Sequence, residues 1–368
     1  MIENNSSIPF YVKLAQITIG IVGLTFIMYL GQEIIIPLLL ALIVAILLNP
    51  VVNYLIRKRC NRIVAIGFTV VLTTVFILGV FYFIGSQLSI FSEALPQLKQ
   101  KFNAMFNDVN SWISQNFNIS PAKIEGWIDT QKKEGMSNST TVIGQTLTTV
   151  SSVLILVFLL PVYTFLILFY KPLLLDFIDK IFPANTNGTV KEVLAETKSL
   201  IQNYLIGLLI EVVIVATLNT AVLFILGVDY ALLIGIIGAL LNLIPYLGGI
   251  VAIAIPMTIA LATKEPIFAL YVLIGYSIVQ FVDNNFIVPK IVASKVKINA
   301  LASIVVVLIG GALWGIAGMF LSLPLTAIFK VICDRIEPLK PLGFLIGDNM
   351  PSLTIFGIQK RNLKKGSK

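Results

Sequence analysis

The chain has 368 residues, 57% of them hydrophobic and 12% charged, with mean hydropathy +0.95 and a formal net charge of +8. A soluble core cannot hide that much apolar surface, so the composition excludes an ordinary soluble domain and predicts an all-α polytopic membrane protein. The basic residues form short clusters beside apolar runs, with no aromatic-interleaved basic face, so they read as topology markers and not as a nucleic-acid surface.

Met1 to Pro9 is polar and lacks the basic start of a signal peptide, which predicts a retained N-terminus. Tyr11 to Leu30 is long enough to span a bilayer, and Ile34 to Ile56 spans again after a tight turn at Gly31, Gln32 and Glu33. Arg57, Lys58, Arg59 and Arg62 then mark the cytoplasmic side, and Ile63 to Gly85 crosses outward. These three spans form a first unit, 1–86.

From Gln87 to Gln145 the chain turns polar. Leu88, Phe91, Leu95, Leu98, Phe102, Phe106, Val109 and Trp112 recur at three- and four-residue spacing, the pattern of an amphipathic helix. Ser120 and Pro121 start a second short helix, and Lys132 to Thr141 is a loop. The expected unit is a small helical extramembrane domain, 87–147.

Val150 to Tyr170 returns to the cytoplasm, where Lys171, Lys180, Lys191 and Lys198 fit the positive-inside rule. An apolar stripe from Val190 to Tyr204 predicts an interfacial helix running into the span Leu205 to Leu226, which carries the carboxylate Glu211. Glu211 reads either as a functional group or as a snorkelling structural one.

Two stretches differ from the rest. Ala231 to Thr263 is apolar but interrupted by Asn242, Pro245, Tyr246, Gly248 and Gly249. Leu301 to Val331 is interrupted by Gly310, Gly311, Gly315, Gly318 and Pro324. As straight helices, at about 1.5 Å per residue, both would exceed a hydrocarbon core of about 30 Å. Proline and glycine instead predict broken helices, and broken backbone belongs inside protein or beside a watery cavity. Paired Gly/Pro-interrupted segments are a pointer to a transporter's solute site.

As two re-entrant hairpins dipping from opposite sides, beside six full spans, these segments leave every basic cluster inside, Lys290, Lys295 and Lys297 included. Eight spans is the rival count, and it misplaces those three lysines. The transport core is therefore expected over 148–335, followed by a basic cytoplasmic tail, 336–368.

Gln280, Asp283, Asn284 and Asn285 end an apolar helix just before Pro289. A carboxylate and three amides in such surroundings read as solute or cation ligands, or as an interfacial cap before the proline. Asn242 reads equally as a solute ligand or as a partner for backbone that Pro245 frees. The chain has no histidine, and its two cysteines, Cys60 and Cys333, lack metal or redox spacing. No cofactor, metal centre or catalytic triad is expected, and no GxxxxGK[ST] loop is present. An intramembrane aspartyl enzyme would need Asp283 to meet Glu211.

The runs IPYLGGIVAIAIP, QFVDNNFIVPKI and GGALWGIAGMFLSLPLTAIFKV resemble the signature of the autoinducer-2 exporter family of bacterial permeases. Pro245, Gly248 and Pro256 match the first motif, Asp283, Asn284 and Pro289 the second, and Gly315, Gly318 and Pro324 the third. Ser294, Lys295 and Asn299 depart from the family's more usual glycine and proline. The resemblance implies an oligomeric transporter of the bacterial inner membrane, some members being linked to autoinducer-2 export and others resembling sodium or other cation/proton antiporters.

The expected function is thus a secondary transporter of a small polar solute by alternating access. Solute contacts are expected from Asn242, Pro245, Tyr246, Gly248, Gly249, Gln280, Asp283, Asn284, Asn285, Gly310 and Gly311. Ion coupling is expected at Asp283 and Glu211, and hinges at Pro256, Pro289, Gly315, Gly318 and Pro324. The rival readings are a cation/proton antiporter and a non-transporting scaffold that binds partners through 87–147.

Overall fold

The computed structural model describes residues 9–117, 140–182, 187–244, 247–293 and 298–348. Helices dominate: α1 (Phe10–Leu30), α2 (Gln32–Arg57), α3 (Arg62–Phe117), α4 (Thr140–Ile181), α5 (Asn187–Ile225), α6 (Ala231–Asn242), α7 (Leu247–Thr263), α8 (Ile267–Val282), a π-helix (Asp283–Ala293), α9 (Ala300–Arg335) and α10 (Lys340–Ile346). Seven helices among the described residues are long and apolar enough to cross a membrane. One of the seven is α9, which folds back on itself, so six single spans and two hairpins remain. The protein is a multi-pass all-α membrane protein.

Two boundaries drawn on composition are not helix boundaries. α3 is one helix of 56 residues that passes Gln87 without a break, because polarity changes there while helix propensity does not. Likewise α5 runs unbroken from Asn187 through the stripe expected as an interfacial helix and into the span. In the aromatic stripe, Phe91 packs edge-on against Tyr230 with ring centroids 5.3 Å apart. The short helix expected at Ser120 lies outside the described residues.

Prolines inside the spans free carbonyls, and polar side chains from neighbouring helices fill them. Pro50 cannot donate to the Ile46 carbonyl, which instead accepts from Gln202 Nε2 at 2.6 Å, joining α2 to α5. Pro172 leaves the Leu168 carbonyl without its helical donor, and Arg62 Nη2 reaches it at 3.1 Å while also bonding the Phe169 carbonyl at 2.7 Å. The α2, α3 and α4 helices then bury Ala45, Val52, Ala65, Ile66, Val70 and Leu168 against one another.

The first hairpin is α6 and α7. Their lengths, 12 and 17 residues, correspond to about 18 and about 26 Å, short of a full crossing. They fold together so closely that a Cβ on Gly248 would overlap the Leu241 carbonyl. Both ends of the hairpin lie at the C-terminal end of α5. A Cβ on Gly227, just past α5, would stand 3.6 Å from Lys264 Nζ, just past α7, and Leu223, Val228, Ala231, Ile259, Ala260 and Val272 share one core.

The second hairpin is α9, broken at Trp314 (φ −135°, ψ 19°) and Gly315 (φ 59°, ψ −141°). The second conformation is open to glycine almost alone. Its two legs touch where Gly310 meets Gly318 and Gly311 meets Met319. Both its ends lie together as well: Asn299 Nδ2 donates to the Leu345 and Gly347 carbonyls, and Ile298 pairs with Gly347. This end sits at the opposite pole of α5, because Arg335 pairs with Glu192 and Glu196 in the first turns of that helix. The two hairpins therefore enter the fold from opposite ends of α5.

Candidate functional site

The two elbows approach one another near the middle of α5. Trp314 is buried with Tyr204, Leu205 and Leu208 of α5, and Leu243, just past the first half-helix of the other hairpin, packs on the same cluster. Val288 and Ile291 of the π-helix complete that contact. Trp314 Nε1 also donates to the Met28 carbonyl at 3.0 Å, the one described bond that ties this elbow to α1. This tryptophan is not among the site residues expected from the sequence, where its only signal is its place immediately before Gly315.

At this level three polar side chains from three elements meet in the apolar interior. Asn242, the last residue of α6, donates through Nδ2 to Asp283 Oδ2 at 2.8 Å and reaches Glu211 Oε1 at 3.5 Å. The first is a full hydrogen bond and the second a marginal one. Asp283 is 1% exposed and Glu211 5%. Among the described residues Asp283 Oδ1 has no partner, and no Lys or Arg pairs with either carboxyl. The two carboxyls share the amide between them and do not bond directly, which differs from the shared proton of an aspartyl dyad.

Each member is placed by a local feature of its chain. Glu211 lies mid-helix in α5, turned inward with Leu208 and Val215 on the buried face. Asn242 stands where α6 stops, one residue before the break. Asp283 begins the π-helix, whose wider turns contain Pro289. A missing N–H there relaxes the regular helical ladder, and such widened turns recur at functional sites.

The four polar residues at the end of α8 do not act as one group. Asp283 alone points into the cluster. Gln280 lies across the first turn of α7, where a Cβ on Gly249 would stand 3.1 Å from Gln280 Oε1, so the bare glycine backbone is what admits it. Gln280 Nε2 contacts Asn284 Oδ1 at 3.3 Å, and Asn285 donates back to the Phe281 carbonyl at 2.8 Å. Asn284 and Asn285 are exposed.

The glycines sort similarly. Gly248 and Gly249 line the first elbow, whereas Gly310, Gly311 and Gly318 serve the close approach of the two α9 legs. Of the expected hinges, Gly315 sits at a break, Pro289 within the π-helix, and Pro256 and Pro324 inside continuous, buried helix. Pro245 and Tyr246 lie outside the described residues, as do Ser294, Lys295 and Lys297. A solute or cation entering between the elbows would meet carboxylate and amide oxygens, amide N–H groups and glycine backbone, with no cationic side chain of the described residues paired to the acids.

Residues 18–337 match the family model described as AI-2E family transporter. The AI-2 transport protein TqsA of Escherichia coli K12 is 24% identical over 338 residues, covering 92% of this chain and 95% of that protein. The putative permease PerM of the same strain is 26% identical over 317 residues, covering 80% and 85%. The putative transport protein YueF of Bacillus subtilis 168 is 25% identical over 307 residues, covering 80% and 82%. A family match over most of the chain, on a fold of six spans and two opposed hairpins, leads to one conclusion: this protein belongs to the AI-2E family of membrane transporters.

Proposed function

We propose that this transporter exports a small polar solute of the hydroxyl-rich kind that autoinducer-2 represents, by alternating access between the two hairpins. The observation that carries the reading is the convergence of both elbows on the buried Glu211, Asn242 and Asp283 cluster. Buried carboxyls in a membrane interior mark solute and ion pathways, since leaving them there without a role is costly. One hairpin withdrawing would open the cluster to one side, and the other hairpin withdrawing would open it to the other. The name of the relative TqsA supports the choice of solute, and the amide and carboxylate lining supports its polarity.

The absence of a described basic partner for the two acids favours a coupling ion as well. Two carboxyls around one amide need a proton or a cation to balance their charge in so dry a place. This favours, as a second reading, a sodium or other cation/proton antiporter that uses the same pair. The scaffold reading has no comparable support, because it leaves the buried acids without a role.

Reconstituted liposomes separate the two. Counterflow of a labelled polyol or of autoinducer-2 that persists without an ion gradient supports the solute exporter. A pH-dye response to added sodium, with no solute counterflow, supports the antiporter. Asp283→Asn keeps the size of the side chain and removes its acid, so it is expected to bring coupled flux to the background of empty vesicles. Full, ion-sensitive flux in that variant would remove Asp283 from the mechanism. The reading further places the protein in the bacterial inner membrane, with both termini cytoplasmic and as a homo-oligomer.

A further inference from the structure

Away from the hairpins, the helices α2, α3 and α4 enclose a cavity of about 230 Å³ at the basic end of the first two spans. Its polar wall is Asn49, Asn53, Arg62 and Lys171. Lys171 Nζ donates to Asn49 Oδ1 at 2.9 Å. Asn49 is 5% exposed, and its Nδ2 has no partner among the described residues. Among the described residues neither Arg62 nor Lys171 has a carboxylate within ion-pair distance.

Two cationic side chains lining one cavity without a described counter-charge, beside a buried amide donor with no partner among the described residues, suit an oxyanion. A phosphate group answers both needs, because its oxygens accept from an ammonium, a guanidinium and an amide at once. Free phosphate and a phospholipid headgroup share that chemistry. The rim decides between them: Ile56 and Leu175 are exposed at 37% and 42%, and they continue the apolar outer faces of α2 and α4. A molecule that puts phosphate in the cavity and hydrocarbon along those faces is a phospholipid. Basic pockets between transmembrane helices on the cytoplasmic side recur as headgroup sites.

We propose that this cavity holds the phosphate group of an anionic phospholipid, with Lys171 Nζ, the Arg62 guanidinium and Asn49 Nδ2 as donors. The site lies outside the hairpin cluster and does not depend on which solute the transporter carries. Arg62 is already committed to the Leu168 and Phe169 carbonyls, so the bound lipid also secures the joint that Pro172 opens in α4.

Native mass spectrometry of the full chain in detergent, titrated with phosphatidylglycerol or phosphatidylcholine, tests the proposal, with inorganic phosphate in parallel. Phosphatidylglycerol is expected to bind more tightly than phosphatidylcholine. Lys171→Gln should weaken it about fivefold, the fold-change that corresponds to about 1 kcal/mol for one basic residue at a lipid surface. Asn49→Leu should also weaken it without altering the net charge, and it decides the matter if Lys171→Gln does not fold. Lys58→Gln removes a charge at the same end but outside the cavity, and should leave binding unchanged. Equal binding of both lipids overturns the proposal, as do unchanged binding in both cavity variants and a loss in Lys58→Gln as large as in Lys171→Gln. Displacement of phosphatidylglycerol by millimolar inorganic phosphate assigns the cavity to a free anion and overturns the lipid.

Discussion

Asn242→Leu is the perturbation that asks most directly whether the polar cluster is a physical unit. Leucine matches the branched outline of asparagine, so packing changes little while the shared donor disappears. The Asp283 carboxyl has one described hydrogen bond, the 2.8 Å contact from Asn242, and its other oxygen lacks a partner among the described residues. The substitution leaves a buried carboxyl with nothing, at about 1 to 3 kcal/mol for an orphaned acceptor. The marginal contact with Glu211 adds little. Asp283→Leu makes the complementary break and orphans the Asn242 amide, at about 1 to 2 kcal/mol. The double variant replaces both partners by apolar groups of similar shape, so its loss should fall well below the sum of the single losses. The expected interaction energy is about 1 to 2 kcal/mol, within the range found for residues in direct contact. Unfolding of the four proteins in mixed micelles, followed by helical circular dichroism against SDS fraction, measures the cycle. Losses that add to within about 0.5 kcal/mol would refute the claim that Asn242 and Asp283 act on one another.

Other expectations rest on different parts of the fold. Gly315→Ala forces a side chain into a backbone state at φ 59° and ψ −141°, at about 1 to 3 kcal/mol, whereas Gly20→Ala in α1, where nothing lies within 4 Å, should be neutral or slightly stabilising; unfolding midpoints compare the two. Gln202→Leu strips the Ile46 carbonyl of its donor, about 1 kcal/mol or more, and Pro50→Ala in the same chain should recover most of that loss by restoring the helical N–H. A midpoint that Pro50→Ala does not improve would show that the glutamine has some other role. Cys60 is exposed and Cys333 fully buried, and the chain has no other cysteine. A membrane-impermeant maleimide should therefore add one label, from inverted vesicles and not from intact cells; labelling from the outside would reverse the proposed orientation.

Much of this arrangement was legible in the residues because the bilayer limits what a chain can do. Hydrophobic length marked the spans, and Gly/Pro interruption marked both segments that break, since a helix too long for the membrane must fail where its backbone is weakest; that the second breaks at Gly315, and not at Gly310, Gly311, Gly318 or Pro324, is visible only in the structure. A change of composition is not a helix boundary at Gln87 or along 187–204, where a helix continues through a change of polarity at no cost to its hydrogen bonds. Identifying Asp283 and Glu211 as candidates needed only their charge and apolar surroundings.

What lay beyond the sequence was which polar groups face one another. Residues 211, 242 and 283 are brought together only because the first hairpin folds back beside α5 and the π-helix packs on the same side. Rotation about α8 decides that Asp283 turns inward while Asn284 and Asn285 turn out, and sequence neighbours carry no record of that angle. The basic cluster of Arg62 and Lys171 marked topology in the linear chain, and became a pocket only when three helices closed around Asn49. Hydropathy acts residue by residue and can be read along a line, but side-chain pairing is set by distances across the fold.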